Sequence, residues 1–109
     1  MRNWIVGCAA GAVLVAGLMG QDKAKPGDAA KGKEVFDQCT VCHNTDSTET
    51  KVGPGLKGLF KTEKLVNGKP VTEANVRELI NTGGNGMPAY GDQLSEQDKN
   101  DVIAYLKTL

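Results

Sequence analysis

The sequence predicts an all-α protein built from three or more short helices and long connecting loops. Three segments combine a capping residue with apolar residues at helical spacing, and none alternates apolar and polar residues as a half-buried strand does. The stretches 44–70 and 82–92 are rich in glycine and show little periodicity. With 109 residues, the chain has room for one compact domain.

The first two helices are predicted from their N-terminal signals. Asp28 is a good N-cap for a helix from Ala29 to about Gln38, and Thr72 is one for a helix from Glu73 to about Asn81. Side chains of this kind accept a hydrogen bond from a backbone N–H group that the helix itself leaves free. Both helices are therefore expected to begin directly after these residues.

The last helix carries the most complete signal. Ser95 and Asp98 have the spacing of a capping box, in which each side chain accepts the backbone N–H of the other residue. Apolar residues then follow at helical spacing up to the chain end, and the helix is expected to bury this stripe. The stripe consists of Val102, Ile103, Tyr105, Leu106 and Leu109.

The N-terminus has the pattern of a secretory signal peptide. Arg2 supplies the charged start, and Trp4–Gly20 contains no charged residue. Cleavage is expected after Gly17 or Gly20, although neither site has the usual pair of small residues. The uncharged run is slightly shorter than a typical membrane-spanning helix, so an uncleaved anchor is the alternative. A lipoprotein site at Cys8 is disfavoured, because almost no apolar segment precedes it.

The domain boundaries follow from this N-terminal segment. Residues 1–20 are the predicted signal peptide, residues 21–27 are expected to be a flexible lead-in, and residues 28–109 form the domain. The protein is therefore expected to be exported to the periplasm or another compartment outside the cytoplasm. It would contact a membrane only if the signal segment is retained.

The charge balance excludes several classes of partner. Thirteen Lys and Arg match thirteen Asp and Glu. No strong electrostatic field therefore favours nucleic acid, an anionic membrane surface or an acidic substrate. The charge by itself identifies no partner, and the functional signals lie in the motifs.

The strongest functional signal is a C-x-x-C-H motif formed by Cys39, Cys42 and His43. This is the spacing of covalent c-type haem attachment. At a helix end it brings both thiols to one side, where each can add to a haem vinyl group while the imidazole reaches the iron. A thiol–disulfide motif would be expected near a βαβ pattern, which is missing, and a zinc site lacks a fourth soft ligand. We therefore predict one haem c, bound through Cys39 and Cys42.

Met87 is predicted to be the second axial ligand of the iron, together with His43. It is the only methionine after residue 20, and it lies between Gly86 and Pro88. Its thioether is a soft ligand suited to haem iron. Gly86 removes a Cβ that would crowd a backbone close to a porphyrin, and Pro88 restricts the loop that follows. Without the haem motif, a lone loop methionine would be interpreted as a gap-filling core residue.

These motifs make the chain from about Asp28 to Leu109 resemble the class I cytochromes c, particularly the small bacterial and photosynthetic carriers. Three further segments match this family in order. Gly53–Leu56 is similar to its Gly-Pro-x-Leu segment, Gly86–Pro88 to its distal-ligand loop, and Val102–Leu106 to the end of its C-terminal helix. The resemblance implies the cytochrome c fold, with helices and long loops wrapped around one covalent haem.

The resemblance also implies roles for residues beyond the motif. The carbonyl of Pro54 would accept a hydrogen bond from the ring N–H of His43 that does not face the iron, and Leu56 would cover the haem. An acceptor of this kind fixes the tautomer and orientation of a ligating histidine. Residues 60–70 match no segment of the family and are interpreted as an exposed loop.

Gly32 and Phe36 share a face of the first helix, and in the family residues of these types meet the C-terminal helix, here at Tyr105. Because glycine within a helix costs about 1 kcal/mol relative to alanine, Gly32 indicates that another backbone comes close. The haem is expected to complete a core that so small a chain cannot build alone. The residues predicted to pack there are Val35, Phe36, Leu56, Leu59, Leu79, Ile80, Val102, Tyr105 and Leu106.

One haem and no visible catalytic group indicate an electron carrier between redox-partner proteins rather than an enzyme with a small-molecule substrate. After residue 20 the chain has one histidine and no cysteine outside the motif, so no second histidine or free thiol is available for catalysis. A haem-based ligand sensor or peroxidase-like enzyme is the first alternative, and it would need an open coordination position. A fixed cytochrome subunit of a larger dehydrogenase or oxidase is the second.

Overall fold

The computed structural model describes residues 24–109 of the chain. The predicted signal peptide and the first three residues of the predicted lead-in lie outside the described residues. Three α-helices and two short 3-10 turns make up the regular structure. The helices are α1 (Ala29–Phe36), α2 (Glu73–Thr82) and α3 (Glu96–Leu106), and the turns are Asp37–Cys39 and Leu59–Lys61.

β-pairing is scarce in this part of the chain. Within residues 24–109 it is limited to two isolated bridges, one between Lys64 and Pro70 and one between Gly84 and Met87. The all-α prediction is therefore confirmed. None of the helices described here combines the length and the apolar character that crossing a bilayer requires.

The three predicted N-caps are present. Oδ1 of Asp28 accepts the backbone N–H two residues further on, at 2.9 Å, and Oγ1 of Thr72 accepts that of Asn75 at 3.1 Å. Ser95 and Asp98 form the complete capping box, in which the two side chains accept at 3.0 and 3.2 Å. The sequence therefore determines where each helix begins.

The C-terminal ends of the helices differ slightly from the sequence prediction. α1 ends at Phe36 rather than near Gln38, because the chain tightens into the 3-10 turn that leads to Cys39. α2 extends to Thr82, one residue beyond the expected end. α3 ends at Leu106 rather than at the chain end, and the remaining residues form a turn.

α1 and α3 pack closely at Gly32. A Cβ at this position would collide with the backbone carbonyl of Asp101 and would lie 2.8 Å from the Cβ of Tyr105. The ring of Tyr105 packs against that of Phe36, with centroids 5.5 Å apart and planes at 53°. Such aromatic pairs contribute roughly 0.5–1.5 kcal/mol beyond their buried area. The close backbone approach expected at Gly32 is confirmed.

The apolar core is formed by side chains from all three helices and one loop. Seven apolar side chains in the described residues are buried. Four of the nine predicted core residues are among them, and the other five pack against this cluster and are partly buried. The seven buried residues are Phe36, Leu65, Val76, Ile80, Val102, Ile103 and Leu106.

The interpretation of residues 60–70 as an exposed loop is wrong at two positions. Leu65 is only 8% exposed, and Phe60 packs against the core. Hydrogen bonds from Leu65 N–H to the Lys69 carbonyl (2.8 Å) and from Gly68 N–H to the Leu65 carbonyl (2.9 Å) fold the loop tightly around Leu65. The apolar residues of this stretch, Phe60, Leu65 and Val66, follow neither helical nor alternating spacing, so the sequence alone does not show which of them is buried.

α3 also carries a buried carboxylate that joins it to the start of α1. Asp101 is 3% exposed. Its Oδ1 accepts the backbone N–H of Asp28 and the side-chain amide of Gln97, each at 2.9 Å. These hydrogen bonds compensate part of the cost of burying the charge, and they connect the N-cap of α1 to the middle of α3.

Residues 25–27 of the predicted lead-in lie against α3. The N–H of Lys25 donates to the side-chain oxygen of Gln97 at 2.6 Å. The side-chain amides of Gln97 and Asn100 donate in turn to the Lys25 carbonyl, at 3.2 and 2.9 Å. The contacts of the domain therefore begin at Lys25 rather than at Asp28, and the flexibility expected of the lead-in stays a prediction.

Candidate functional site

The C-x-x-C-H motif lies on a single turn directly after α1. The 3-10 turn Asp37–Cys39 continues the helix, and the N–H groups of Cys42 and His43 both donate to the carbonyl of Cys39, at 3.1 and 3.0 Å. Both cysteines are partly buried and neither forms a disulfide bond. The sequence spacing thus places the two thiols and the imidazole on one short stretch of backbone.

The imidazole of His43 is held by backbone groups on two sides. Its Nδ1 lies 2.7 Å from the carbonyl oxygen of Pro54, which is the hydrogen bond that the resemblance implies. The ring also lies directly against Gly53, where a Cβ would be 2.5 Å from the ring carbon Cε1 and 3.0 Å from Nδ1. Because the carbonyl can only accept, Nδ1 is the donor, and in the tautomer that this bond selects Nε2 is the nitrogen without a proton.

The chain after His43 folds back onto the attachment turn. We call residues 39–58 the His43 segment. The N–H of Gly53 donates to the Cys42 carbonyl at 2.7 Å, and that of Leu56 donates to the Asn44 carbonyl at 2.8 Å. These bonds position Pro54 beside the imidazole, and they place Leu56 partly buried against the core.

Met87 lies on a second loop, which we call the Met87 loop (residues 83–91). Gly84 and Met87 exchange two backbone hydrogen bonds of 3.0 Å each, so the chain turns sharply just before the methionine. The turn needs positive φ values at four consecutive residues, from Gly83 to Gly86, and Asn85 is the only one that is not glycine. The Met87 side chain is partly buried and packs against the core.

The two ends of the Met87 loop are attached to the last turn of α2. At the first end, the N–H of Gly83 donates to the Leu79 carbonyl at 2.7 Å. At the other end, the N–H groups of Tyr90 and Gly91 donate to the carbonyls of Ile80 and Asn81, at 2.9 and 3.1 Å. Carbonyls that the helix end leaves free are thus used to hold the loop.

The structure therefore brings five of the six predicted site residues onto the His43 segment and places the sixth, Met87, on a separate loop. In residues 24–109 no hydrogen bond joins the His43 segment to the Met87 loop.

Sequence reasoning missed the contact between Gly53 and the imidazole. The backbone of Gly53 is outside the left-handed region, so glycine is required there for space and not for conformation. Its place beside Pro54 was the only sequence signal, and that pattern is also typical of an ordinary turn.

The state of the Cys39 thiol argues against a thiol–disulfide site. Burial raises the pKa of Cys39, and the neighbouring Cys42 raises it further. Reactive cysteines of redox motifs have lowered pKa values, because the thiolate is the nucleophile. The surroundings of Cys39 therefore do not stabilise its thiolate.

The residues present fit a haem. The Nε2 atom of His43 makes no hydrogen bond within the described residues. His43 directly follows Cys42 in the sequence, so its imidazole lies next to the attachment cysteines. Oδ1 of Asn81, in the last turn of α2, is buried without a hydrogen-bond partner, an arrangement that is rare in complete sites. Several apolar side chains around the core are only partly buried, and an apolar group such as a porphyrin would cover them. They include Val35, Leu56, Leu59, Leu79, Met87 and Leu94.

Comparison with known proteins identifies the family. Residues 27–106 match the family model described as "Cytochrome C oxidase, cbb3-type, subunit III". The chain belongs to this family of cytochrome c domains. The cytochrome therefore carries one haem c, bound covalently through Cys39 and Cys42, and the class I resemblance is confirmed.

Individual relatives and structures agree with this family. The cytochrome is 34% identical over 97 residues to the cytochrome c2 of Blastochloris viridis, and the match covers 73% of this chain and 76% of that protein. It is 31% identical over 103 residues to the "Cytochrome bc1 complex cytochrome c subunit" of Corynebacterium diphtheriae, and this match covers 90% of this chain but only 34% of that longer protein. Cytochrome c6 from the diatom Phaeodactylum tricornutum has the same fold, with a TM-score of 0.60 at 27% identity, over 75% of this chain and 93% of the diatom chain.

Proposed function

We propose that the cytochrome is a one-electron carrier between redox proteins outside the cytoplasm, with His43 and Met87 as the axial ligands of its haem iron. The observation that carries the proposal is the 2.7 Å hydrogen bond between Nδ1 of His43 and the Pro54 carbonyl. It leaves Nε2 as the unprotonated nitrogen, which is the form of imidazole that binds a metal. An outer hydrogen bond of this kind also fixes the orientation of the ligand.

The haem supplies the one-electron redox chemistry, and the residues of the cytochrome hold and shield it. Cys39 and Cys42 tether it, so that it is not lost during exchange between partners. The backbone of Gly53 and Pro54 keeps the His43 imidazole in one orientation. A ligand that does not move between oxidation states limits the rearrangement that accompanies electron transfer.

Met87 separates an electron carrier from a sensor or peroxidase-like enzyme. Its side chain is partly buried, and its backbone is fixed by the exchange of hydrogen bonds with Gly84. Ligation by His43 and Met87 together fills both axial positions, leaving none for a small-molecule substrate, and methionine ligation raises the reduction potential. The proposal therefore favours electron transfer without catalysis.

Two exposed apolar side chains support a protein partner near the attachment turn. Val41, between the two cysteines, is 68% exposed, and Val52, next to Gly53, is 72% exposed. Single exposed apolar residues are ordinary, but a contiguous patch marks a contact site, and the hydrogen bond from Gly53 N–H to the Cys42 carbonyl brings the backbone next to Val52 and Val41 together. We propose that donor and acceptor proteins dock on this surface.

A fixed subunit of a larger redox complex is the second candidate. It is favoured by the family description, which names an oxidase subunit, and by the relative from Corynebacterium diphtheriae, of which this chain spans about a third. In that case the electron transfer is the same and the partner is permanent. Size-exclusion chromatography of the native protein distinguishes the two, because a carrier elutes as a small protein and a subunit elutes with its complex.

Export is a further part of the proposal. We expect a mature soluble protein that begins at Leu18 or Gln21, because Trp4–Gly20 has the pattern of a cleavable signal. Intact mass measured in membrane and periplasmic fractions tests this expectation. Recovery of only the full-length chain in membranes would show a retained anchor instead.

The axial ligands are tested by redox titration of the wild type and of Met87→Ala. The wild type is expected to show one reversible one-electron wave and the weak far-red absorption of a ferric iron–thioether bond. Met87→Ala should keep the covalent haem, lose this band and lower the potential by on the order of 0.1 V, since axial ligands set potentials over roughly 0.8 V. Ile103→Val, a change at a buried core residue of α3, is the control and should keep both the band and the potential. An unchanged band and potential in Met87→Ala would contradict the proposal.

A further inference from the structure

A lysine occupies the core-facing side of α3. Lys99 is 4% exposed, and it lies three and four residues before the buried Val102 and Ile103, on the same face of the helix. Lysine is almost never fully buried unless its charge is paired. The side chain must therefore find its compensation locally.

The ammonium group of Lys99 has two partners. It pairs with Glu96 of the same helix at 2.8 Å, and it donates to the carbonyl oxygen of Gly91 at 3.0 Å. The Glu96 side chain is 68% exposed, and ion pairs with exposed partners contribute little. The hydrogen bond to Gly91 is different, because it leaves α3 and ends on the Met87 loop.

Gly91 is the last residue of the Met87 loop. Its N–H donates to the Asn81 carbonyl at 3.1 Å while its carbonyl accepts from Lys99. This end of the loop is thus held from two helices, by backbone from α2 and by a side chain from α3. The first end, at Gly83, is bonded only to α2.

We propose that Lys99 is a positioning residue for Met87: its charged hydrogen bond to Gly91 holds the Met87 loop on the iron and shortens the time that the thioether spends dissociated. This inference rests on the ligation of iron by Met87. Hydrogen bonds to a charged donor are among the stronger ones in proteins, and the burial of Lys99 protects this one from competing water. Without it, the only hydrogen bonds that join this end of the loop to a helix in the described residues are the backbone bonds of Tyr90 and Gly91 to α2.

The test is imidazole binding to the ferric holoprotein, because added imidazole can bind only while Met87 is dissociated. Lys99→Met keeps the length and burial of the side chain and removes its donor. The rate of imidazole binding is expected to rise about tenfold, which corresponds to ~1.4 kcal/mol, and the far-red iron–thioether band should weaken. An unchanged rate and band in Lys99→Met would overturn the proposal.

Two control variants separate this role from general effects. Lys107→Met removes the same charge from the end of α3 and breaks an ion pair with Glu73, yet Lys107 does not contact the loop. Ile103→Val weakens the core of α3 without touching an ion pair. Both should bind imidazole at the wild-type rate. If either control matches Lys99→Met, the effect is electrostatic or global and the proposal is wrong.

Lys99→Arg keeps a charged donor and serves as the rescue variant. It should bind imidazole no faster than Ile103→Val. If Lys99→Met fails to assemble, Lys99→Gln replaces it, because its shorter neutral side chain also removes the charged hydrogen bond to Gly91, and an unchanged rate there would overturn the proposal. A faster rate in Lys99→Arg would overturn the proposal. A wild type that lacks the far-red band would contradict Met87 ligation itself, which separates the two hypotheses.

Discussion

The His43 segment and the Met87 loop are held in different ways. The His43 imidazole contacts backbone on two sides, through its hydrogen bond to Pro54 and its packing against Gly53. The Met87 side chain makes apolar contacts, and its loop is attached at its ends to α2 and to Lys99. The difference indicates that His43, the first proposed ligand, is fixed where it lies, whereas Met87, the second, depends on anchors several residues away.

The largest effect is expected from His43→Ala, which removes the proposed ligand that is held directly. We expect no stable holoprotein, because the core forms around the bound cofactor. The measurement is the yield of soluble protein with covalent haem, detected by peroxidase staining of denaturing gels after expression in a host that matures c-type cytochromes. Asn44→Ala, at the next residue, is the control and should accumulate. Normal accumulation of His43→Ala would show that the cofactor does not need this ligand.

Gly53→Ala tests whether backbone packing fixes the imidazole. The added Cβ would lie 2.5 Å from Cε1 of His43, so the ring must tilt and its bond to Pro54 must weaken. We expect a loss of roughly 1–3 kcal/mol in the free energy of unfolding, together with a shifted reduction potential. Gly58 has a positive φ of 71° and open space around it. Gly58→Ala should therefore lower the free energy of unfolding by about 1 kcal/mol and leave the reduction potential unchanged. Equal potentials in the two variants would rule out the packing role.

Gly83→Ala tests the anchoring of the Met87 loop. Gly83 has a φ of 65°, and a Cβ there would collide with the carbonyl of Met87 and lie 2.7 Å from that of Pro88. The loop must shift, so we expect a weaker far-red band and faster imidazole binding to the ferric protein. Gly68→Ala, with a φ of 84° in open space, should lose about 1 kcal/mol of stability and keep the band. A normal band in Gly83→Ala would show that the loop tolerates displacement.

The smallest effect is expected from breaking the ion pair of Glu73 and Lys107. This pair joins α2 to the end of α3 and has no hydrogen bond to the His43 segment or to the Met87 loop. The hydrogen bond from Lys107 and its charge lower the pKa of Glu73. A lowered folded-state pKa gives stability that is present above the unfolded pKa and is lost as the pH falls through the folded value. Because exposed pairs contribute only ~0–1 kcal/mol, Glu73→Gln should be slightly less stable than the wild type at neutral pH.

Chemical unfolding across the acidic range measures the difference in the free energy of unfolding between Glu73→Gln and the wild type. This difference should disappear once Glu73 is protonated. Glu34→Gln, at an exposed glutamate that forms no ion pair in the described residues, is the control and should be as stable as the wild type at neutral pH. The far-red band should be the same in all three proteins at neutral pH. A change of the band in Glu73→Gln would mean that the helix pair is coupled to Met87.

Local signals explain what the sequence could predict. The caps at Asp28, Thr72 and Ser95 and the C-x-x-C-H spacing act within a few residues, so the helix starts and the attachment turn were predictable. The burial of Leu65 and the path of Lys99 from α3 to the Met87 loop depend on residues distant in sequence. A lysine is ordinarily interpreted as exposed, and only the folded chain shows where its ammonium group is bound.

The central claim is that His43 and Met87 close both axial positions of the iron. Addition of carbon monoxide to the reduced wild-type holoprotein at neutral pH tests it most directly, with Met87→Ala as the open reference. We predict that the wild type does not bind carbon monoxide readily and that Met87→Ala binds it rapidly. Rapid binding by the wild type would contradict the claim and would favour a sensor or peroxidase-like enzyme.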